Sequence, residues 1–329
     1  MIKKKIIIAT GGTGGHIFPA YSLAKYFINT GYLVNLTTDA RGLKYLKNYK
    51  ELNLIKIPAT PLIKRNIFKF FFSINIVIFS IIRSFLFLLF NRPSIVFGMG
   101  GYSSFPICIA ASILRIKFIV YENNLIIGKA NKFLLPFADK IFVSYKDLHG
   151  IPYKYNHKII VSGNIIREEI LNLNTSSNKT IKTETLRILV LGGSQAAKIF
   201  AEKLPPIFSK LKESKINIKV YHQCQKEQNE ALSQFYVKNK INFEIFNFTD
   251  KIIEYYSKVN LVITRSGASV LGELINVKIP FITIPLPSSA DNHQFKNAEF
   301  YKKRGYGYLL EEKNINDELY SLIKKIFKD

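Results

Sequence analysis

Several stretches of this chain place glycines beside polar side chains at the end of an apolar run, and these can do chemistry. The first is Gly11-Gly12-Thr13-Gly14-Gly15-His16, between the run Lys4–Thr10 and an apolar-periodic segment from Ile17 to Asn29. Glycine lets backbone approach a ligand closely, and a helix N-terminus presents free N–H groups and positive partial charge to an anion. No Gly-Lys-Ser/Thr follows, so this is not a nucleotide-triphosphate loop. It also departs from the dinucleotide spacing GxGxxG, to which Asp39 adds only weak support. His16 is the distinctive residue. A histidine at the carboxyl end of a strand can serve as a general base, or it can simply cap the helix start.

The second cluster, Gly98-Met99-Gly100-Gly101-Tyr102-Ser103-Ser104, is another flexible turn suited to anions, and Glu122-Asn123-Asn124 puts a carboxylate and two amides after the next strand. In the second half, Gly192-Gly193-Ser194-Gln195 can hold phosphate. Arg265-Ser266-Gly267-Ala268 opens a helix bearing Glu273, whose carboxylate can take both hydroxyls of a ribose. Arg265 and Glu273, eight residues apart, are expected on similar helix faces. Ile284-Pro285-Leu286-Pro287 leads into Asp291-Asn292-His293-Gln294, a polar group able to read sugar hydroxyls.

These clusters need elements to position them. Lys4–Thr10, Tyr32–Thr37, Ser94–Phe97 and Phe118–Tyr121 read as strands, with β-branched runs that fit burial on both faces. Leu171–Thr185 is polar and reads as a linker. The pattern then restarts with Arg187–Leu191, Lys219–His222, Phe243–Phe248, Leu261–Thr264 and Phe281–Ile284, and ends in a helix over Asn316–Phe327. Two successive series, each opening strand, Gly-turn, helix, predict an α/β protein of two doubly wound domains with a cleft between them.

The 329 residues carry 47 Lys and Arg against 23 Asp and Glu, a net charge of +24. Most of it lies early, since residues 1–163 hold 22 basic against 5 acidic side chains. That asymmetry points to a polyanionic partner, nucleic acid or an anionic membrane. An abundance of Ile, Lys, Asn, Phe and Tyr with no Trp also fits residue choice that follows base composition. No nucleic-acid-binding module is present in the sequence, which leaves the membrane. Cys108 and Cys224 are too far apart for a disulfide scaffold or a metal ribbon and suit a reducing cytosol. No cleavage site follows the first strand, so no signal peptide is expected.

In Ile67–Phe90, 18 of 24 residues are Ile, Val, Leu or Phe, long enough to cross a bilayer. Lys69, Ser73, Ser80, Arg83 and Ser84 fall on one narrow stripe at helical spacing, with Asn75 off it. The segment also lies between strands of one sheet. A helix that packs on the sheet and dips into the membrane interface, flanked by Lys64, Arg65 and Arg92, satisfies both facts.

Taken in order, these motifs resemble the MurG family of UDP-N-acetylglucosamine transferases, and the resemblance covers nearly the whole chain. It implies a GT-B glycosyltransferase with two Rossmann-like domains. Residues 1–162 would take the acceptor, lipid I, and associate with the membrane; residues 163–329 would take UDP-GlcNAc, with 163–186 as linker. It implies inverting transfer of GlcNAc to the 4-hydroxyl of MurNAc, forming lipid II for peptidoglycan, with no metal or other cofactor. The enzyme would be peripheral on the cytoplasmic face of the inner membrane. His16, or Glu122, is implied as the base. Thr13, Gly14, Gly15, Arg167, Ser194, Glu273, Asn292 and Gln294 are implied donor contacts, together with Asn124, which also suits the acceptor side. Gly12 and Tyr102 are implied on the acceptor side.

Departures from the family pattern are Tyr121-Glu122-Asn123-Asn124 for His-Glu-Gln-Asn, and Gly163-Asn164-Ile165-Ile166-Arg167 for GNPVR. Losing that proline is expected to loosen the interdomain hinge. The family commonly continues past the last helix into one that packs back on the N-terminal domain, so weaker domain coupling is also expected. A UDP-sugar epimerase or another lipid glycosyltransferase on this scaffold, and a non-catalytic UDP-sugar-binding protein, remain the competing readings.

Overall fold

Lys5–Ala9 forms the centre of a sheet because its alternate residues bury in opposite directions. Ile7 and Ala9 enter one apolar cluster and Ile6 and Ile8 another, all essentially inaccessible. A strand covered on both faces has no use for polar alternation. The computed structural model describes residues 4–60, 67–173, 184–193 and 196–328, and two compact units divide at Arg167–Glu168.

The first unit runs β1 (Lys5–Ala9), α1 (Gly14–Asn29), β2 (Leu33–Thr38), α2 (Ala40–Leu46), β3 (Asn53–Lys56), α3 (Ile67–Asn91) and β4 (Ile95–Gly98). It continues through α4 (Ser104–Ile113), β5 (Phe118–Glu122), α5 (Lys129–Leu134), β6 (Lys140–Val143) and β7 (Ile159–Val161). The sheet order is β3-β2-β1-β4-β5-β6-β7, with every neighbouring pair parallel. The chain winds outward from β1 to β3, then returns to β4 on the other side of β1. The loops after β1 and β4 therefore flank a topological switch point, where open α/β sheets bind ligands.

The second unit opens with α6 (Glu168–Leu171), β8 (Thr185–Leu191), α7 (Lys198–Glu213), β9 (Asn217–Gln223), α8 (Asn229–Lys238), β10 (Asn242–Phe246) and α9 (Ile252–Tyr256). It closes with β11 (Leu261–Thr264), α10 (Ala268–Val277), β12 (Phe281–Thr283), α11 (His293–Lys303), β13 (Tyr308–Leu309) and α12 (Ile315–Lys328). Its order, β10-β9-β8-β11-β12-β13, is again all parallel and places the switch between β8 and β11. The two units are thus each a doubly wound α/β sheet. α12 buries Ile315, Leu319, Ile323 and Ile326 in the same core as α7. The short β6, β7 and β13 have no counterpart in the sequence reading, because two to four residues carry too little pattern.

Two features differ from expectation. The unit boundary lies at 167–168 rather than 162–163, so Gly163–Arg167 belongs to the first unit, and α6, inside the expected linker, packs on α10. On α3, the buried side is the stripe of small polar residues: Ser73, Ser80 and Ser84, joined by Leu88. Serine hides here because it is small and bonds within the helix. Ser73 Oγ donates to Lys69 O at 2.7 Å, and Ser80 Oγ lies 2.7 Å from both Ile76 O and Pro58 O. α3 thereby packs closely along α4 while Lys69 and Arg83 stay exposed. The large apolar side chains are turned outward, with Phe68, Phe72 and Phe90 at 83%, 68% and 81% exposure.

Candidate active site

In the first unit, the turns after β1 and β4 touch. A Cβ on Gly101, at φ +80°, would stand 2.3 Å from Gly11 O, and one on Gly100 would stand 2.8 Å from the His16 ring. Glycine is therefore required at both places, once for backbone contact and once to make room for the imidazole. Ser103 Oγ donates to Thr10 O at 2.6 Å and Met99 N to Ala9 O at 2.8 Å, which fastens the second turn to the first strand.

α1 starts at Gly14, three residues earlier than the apolar period indicates, so His16 belongs to its first turn. Pro19 lies inside this helix and has no N–H to give the Gly15 carbonyl. Asn123 Nδ2, from the end of β5, donates to that carbonyl at 2.7 Å. His16 is half-buried, Gly12 and Gly15 are half-buried, Gly14 is buried, and Thr13 and Tyr102 are exposed. His16, the Gly100–Gly101 turn and the Glu122–Asn124 segment thus meet at one edge of one sheet.

Glu122 is 1% exposed, and both of its oxygens are engaged. Oε1 accepts from the Asn124 backbone N–H and Nδ2, each at 3.0 Å, and Oε2 from Gly128 N at 2.8 Å and Asn131 Nδ2 at 2.9 Å. Four donors thus converge on one buried carboxylate. Glu122 thereby ties the 123–128 loop together. Asn124 is held by it, and sequence reading gave no sign of Asn131, whose role arises only from the fold.

The Gly163–Arg167 segment is tied down where a looser one was expected. Ile165, unlike proline, has an N–H, and it donates to Tyr121 Oη at 3.0 Å. Tyr121 Oη also lies 2.9 Å from Ser144 Oγ, and burial pushes its phenol up to about 12, so it stays protonated. Both departures from the family pattern meet in this one bond. The Arg167 guanidinium then lies over the Phe18 ring, 5.0 Å from its centroid.

In the second unit, Glu273 is buried at 6% exposure on α10 and accepts from Tyr256 Oη at 3.1 Å. Arg265 precedes the helix instead of sharing a face with Glu273. Its Nη1 donates to Ile284 O and Pro285 O, each at 3.1 Å, its Nη2 to Glu312 at 2.5 Å, and its guanidinium lies over Phe200. Arg265 therefore holds the Ile284–Pro287 turn in place. Gln294 Oε1 accepts from Leu286 N at 2.9 Å, and Asn297 Nδ2 donates to Ser266 O at 3.2 Å, which knits three motifs into one rim. Asn292 is exposed, in a left-handed turn with Asp291. Ser194 lies outside the described residues. His222 is fully buried, with Nδ1 2.7 Å from Tyr236 Oη, and burial pushes it down to about 3, which makes it a neutral core residue.

Residues 6–143 match the glycosyltransferase family 28 N-terminal domain, and residues 187–329 match its C-terminal domain. The chain belongs to glycosyltransferase family 28. Full-length relatives agree with this family 28 assignment. A protein of Pelagibacter ubique is 36% identical over 99% of this chain and 89% of its own length. One of Rickettsia felis is 38% identical over 96% and 88%. Each is named UDP-N-acetylglucosamine–N-acetylmuramyl-(pentapeptide) pyrophosphoryl-undecaprenol N-acetylglucosamine transferase. Among solved structures, Acinetobacter baumannii MurG is similar at a TM-score of 0.74 and 23% identity, over 99% of this chain and 92% of that one. An S. aureus MnaA–UDP structure is similar at 0.67 and 15%, over 98% and 89%. At those identities the structures speak for the fold, and family 28 membership rests on the sequence matches.

Proposed function

We infer that this family 28 protein transfers GlcNAc from UDP-GlcNAc to the 4-hydroxyl of MurNAc in lipid I, forming lipid II for peptidoglycan. The observation that carries this is identity of 36% and 38%, across nearly the whole chain, to proteins named for that reaction. The acceptor belongs to the first unit and the donor to the second. His16 takes the proton of the 4-hydroxyl as its oxygen attacks the anomeric carbon. The bond from that carbon to the UDP oxygen breaks, the electron pair leaves with UDP, and configuration inverts. The leaving diphosphate gathers negative charge, which Arg167 and the Gly192 turn at the start of α7 oppose. Glu273 takes the ribose hydroxyls, and Asn292 and Gln294 read the sugar. Thr13, Gly14, Gly15 and Asn124 complete the donor contacts, with Gly12 and Tyr102 toward the acceptor.

The lipid end of the acceptor calls for a membrane surface, and α3 supplies one. It is long and apolar enough to cross a membrane, yet β3 before it and β4 after it lie in the same sheet. A crossing would separate strands that are joined through β2 and β1. The exposed phenylalanines instead enter the interface, and the basic excess of the first unit meets anionic headgroups. These features support a peripheral location on the cytoplasmic face of the cell membrane.

Transfer of radiolabelled GlcNAc from UDP-GlcNAc to a lipid I analogue tests the reaction. Labelled lipid II is the expected product, and a folded protein that binds UDP-GlcNAc without transferring it refutes the reading. Co-sedimentation with liposomes tests the surface. Binding should strengthen with anionic lipid and weaken when Phe68 and Phe72 are changed to Ser; equal binding to neutral and anionic vesicles removes the electrostatic part.

A further inference from the structure

The Gly192 turn is gripped from the neighbouring strand by side chains that none of the motifs above includes. β8 and β9 pair in parallel with Val190 opposite His222, which brings Gln223 level with the exit of β8. Gln223 is 6% exposed; its Oε1 accepts from Gly192 N at 3.0 Å, and its Nε2 donates to Asn247 O at 3.2 Å. Two residues on, Gln225 Nε2 donates to Ala196 O at 3.3 Å. Gln228 Nε2 donates to Lys198 O, the first residue of α7, at 3.1 Å. Three glutamines of one loop thus hold both flanks of the turn.

The turn needs holding. A Cβ on Gly192 would stand 1.9 Å from Ala197 N, so the backbone is folded hard against itself. Gly193 has φ +82° and Ala196 φ +48°, and the left-handed region is unfavourable for a residue with a Cβ. Ala196 N donates to Gly193 O at 3.1 Å. Strain of this kind persists only where the surroundings enforce it.

Resting on the donor reading above, we propose that Gln223 and Gln225 are positioning residues that set the backbone of Gly192 and of Ala196 for the diphosphate of the nucleotide. The amide suits this task in a way a carboxylate does not. It accepts from Gly192 and donates to Asn247 while adding no negative charge beside an anion. The clamp acts on the diphosphate end of the ligand and leaves the uridine end, served by Glu273, alone.

The test titrates UDP and uridine separately into the full chain and its Gln223→Met and Gln225→Met variants, with thermal melting alongside. Losing one such hydrogen bond should weaken UDP about five- to tenfold and leave uridine within about twofold. Gln223→Glu should weaken UDP more than Gln223→Met does. Gln225 is only half-buried, so its variant reports even if changing Gln223 disturbs folding. Unchanged UDP affinity in both variants overturns the clamp, as does an equal loss for UDP and uridine. A parent that binds neither UDP nor uridine overturns instead the donor assignment on which the clamp rests.

Discussion

Replacing His16 by Ala should lower the turnover of GlcNAc transfer by about 10²–10⁴-fold, the usual contribution of a positioned acid or base. UDP-GlcNAc affinity should change far less. The imidazole stands in the first turn of α1, and the missing side chain of Gly100 leaves it room. Asn123 holds that turn through the Gly15 carbonyl. The other candidate, Glu122, already takes four hydrogen bonds that tie the 123–128 loop. Steady-state kinetics with varied donor and varied acceptor separate turnover from binding. Full turnover in a well-folded His16→Ala variant would remove the base assignment. Glu122→Gln should act differently, by loosening the 123–128 loop and lowering the melting temperature along with activity.

Replacing Glu273 by Ala should weaken UDP-GlcNAc and UDP binding by about 10²-fold, since a carboxylate on a vicinal diol makes two charge-assisted hydrogen bonds. Turnover at saturating donor should fall much less. The carboxylate is buried at 6% exposure and has the Tyr256 hydroxyl as one partner, which fixes its orientation before ligand arrives. Removing it strands that hydroxyl, so the melting temperature has to be followed with the affinity. Glu273→Gln keeps the shape and one acceptor and should lie between Ala and the parent. Calorimetric titration of UDP decides the matter, and an unchanged dissociation constant for Glu273→Ala would exclude a ribose role.

The chain's outline is written in local pattern. Uninterrupted β-branched runs predict strands covered on both faces, and Ile6 to Ala9 are covered in that way, because burial on two sides selects apolar residues at every position. A restart of strand, Gly-turn and helix after residue 186 predicts a second unit with the same winding. The Gly-turns are legible as well, since left-handed backbone and close contact select glycine over other residues.

Partners distant in sequence were not legible. Nothing near Arg265 announces that Glu312, 47 positions later, will take its guanidinium. Nothing near Gly192 announces Gln223. Those pairs exist because parallel strands set their carboxyl ends level, and crossing connections bring remote loops to one rim. The serine stripe of α3 is a related case. Its spacing is plain in the sequence, but which side faces in depends on how closely α4 approaches.

So the sequence by itself determined two doubly wound α/β units, the glycine turns that follow their strands and a helix too apolar for an ordinary surface. Each follows from what a residue does to its own backbone or to burial nearby. Only the tertiary structure decided that Glu122 is engaged by four hydrogen bonds, that Ile165 is pinned by Tyr121, and that the phenylalanines of α3 look outward. Each depends on contacts between segments that only the winding of the sheets brings together.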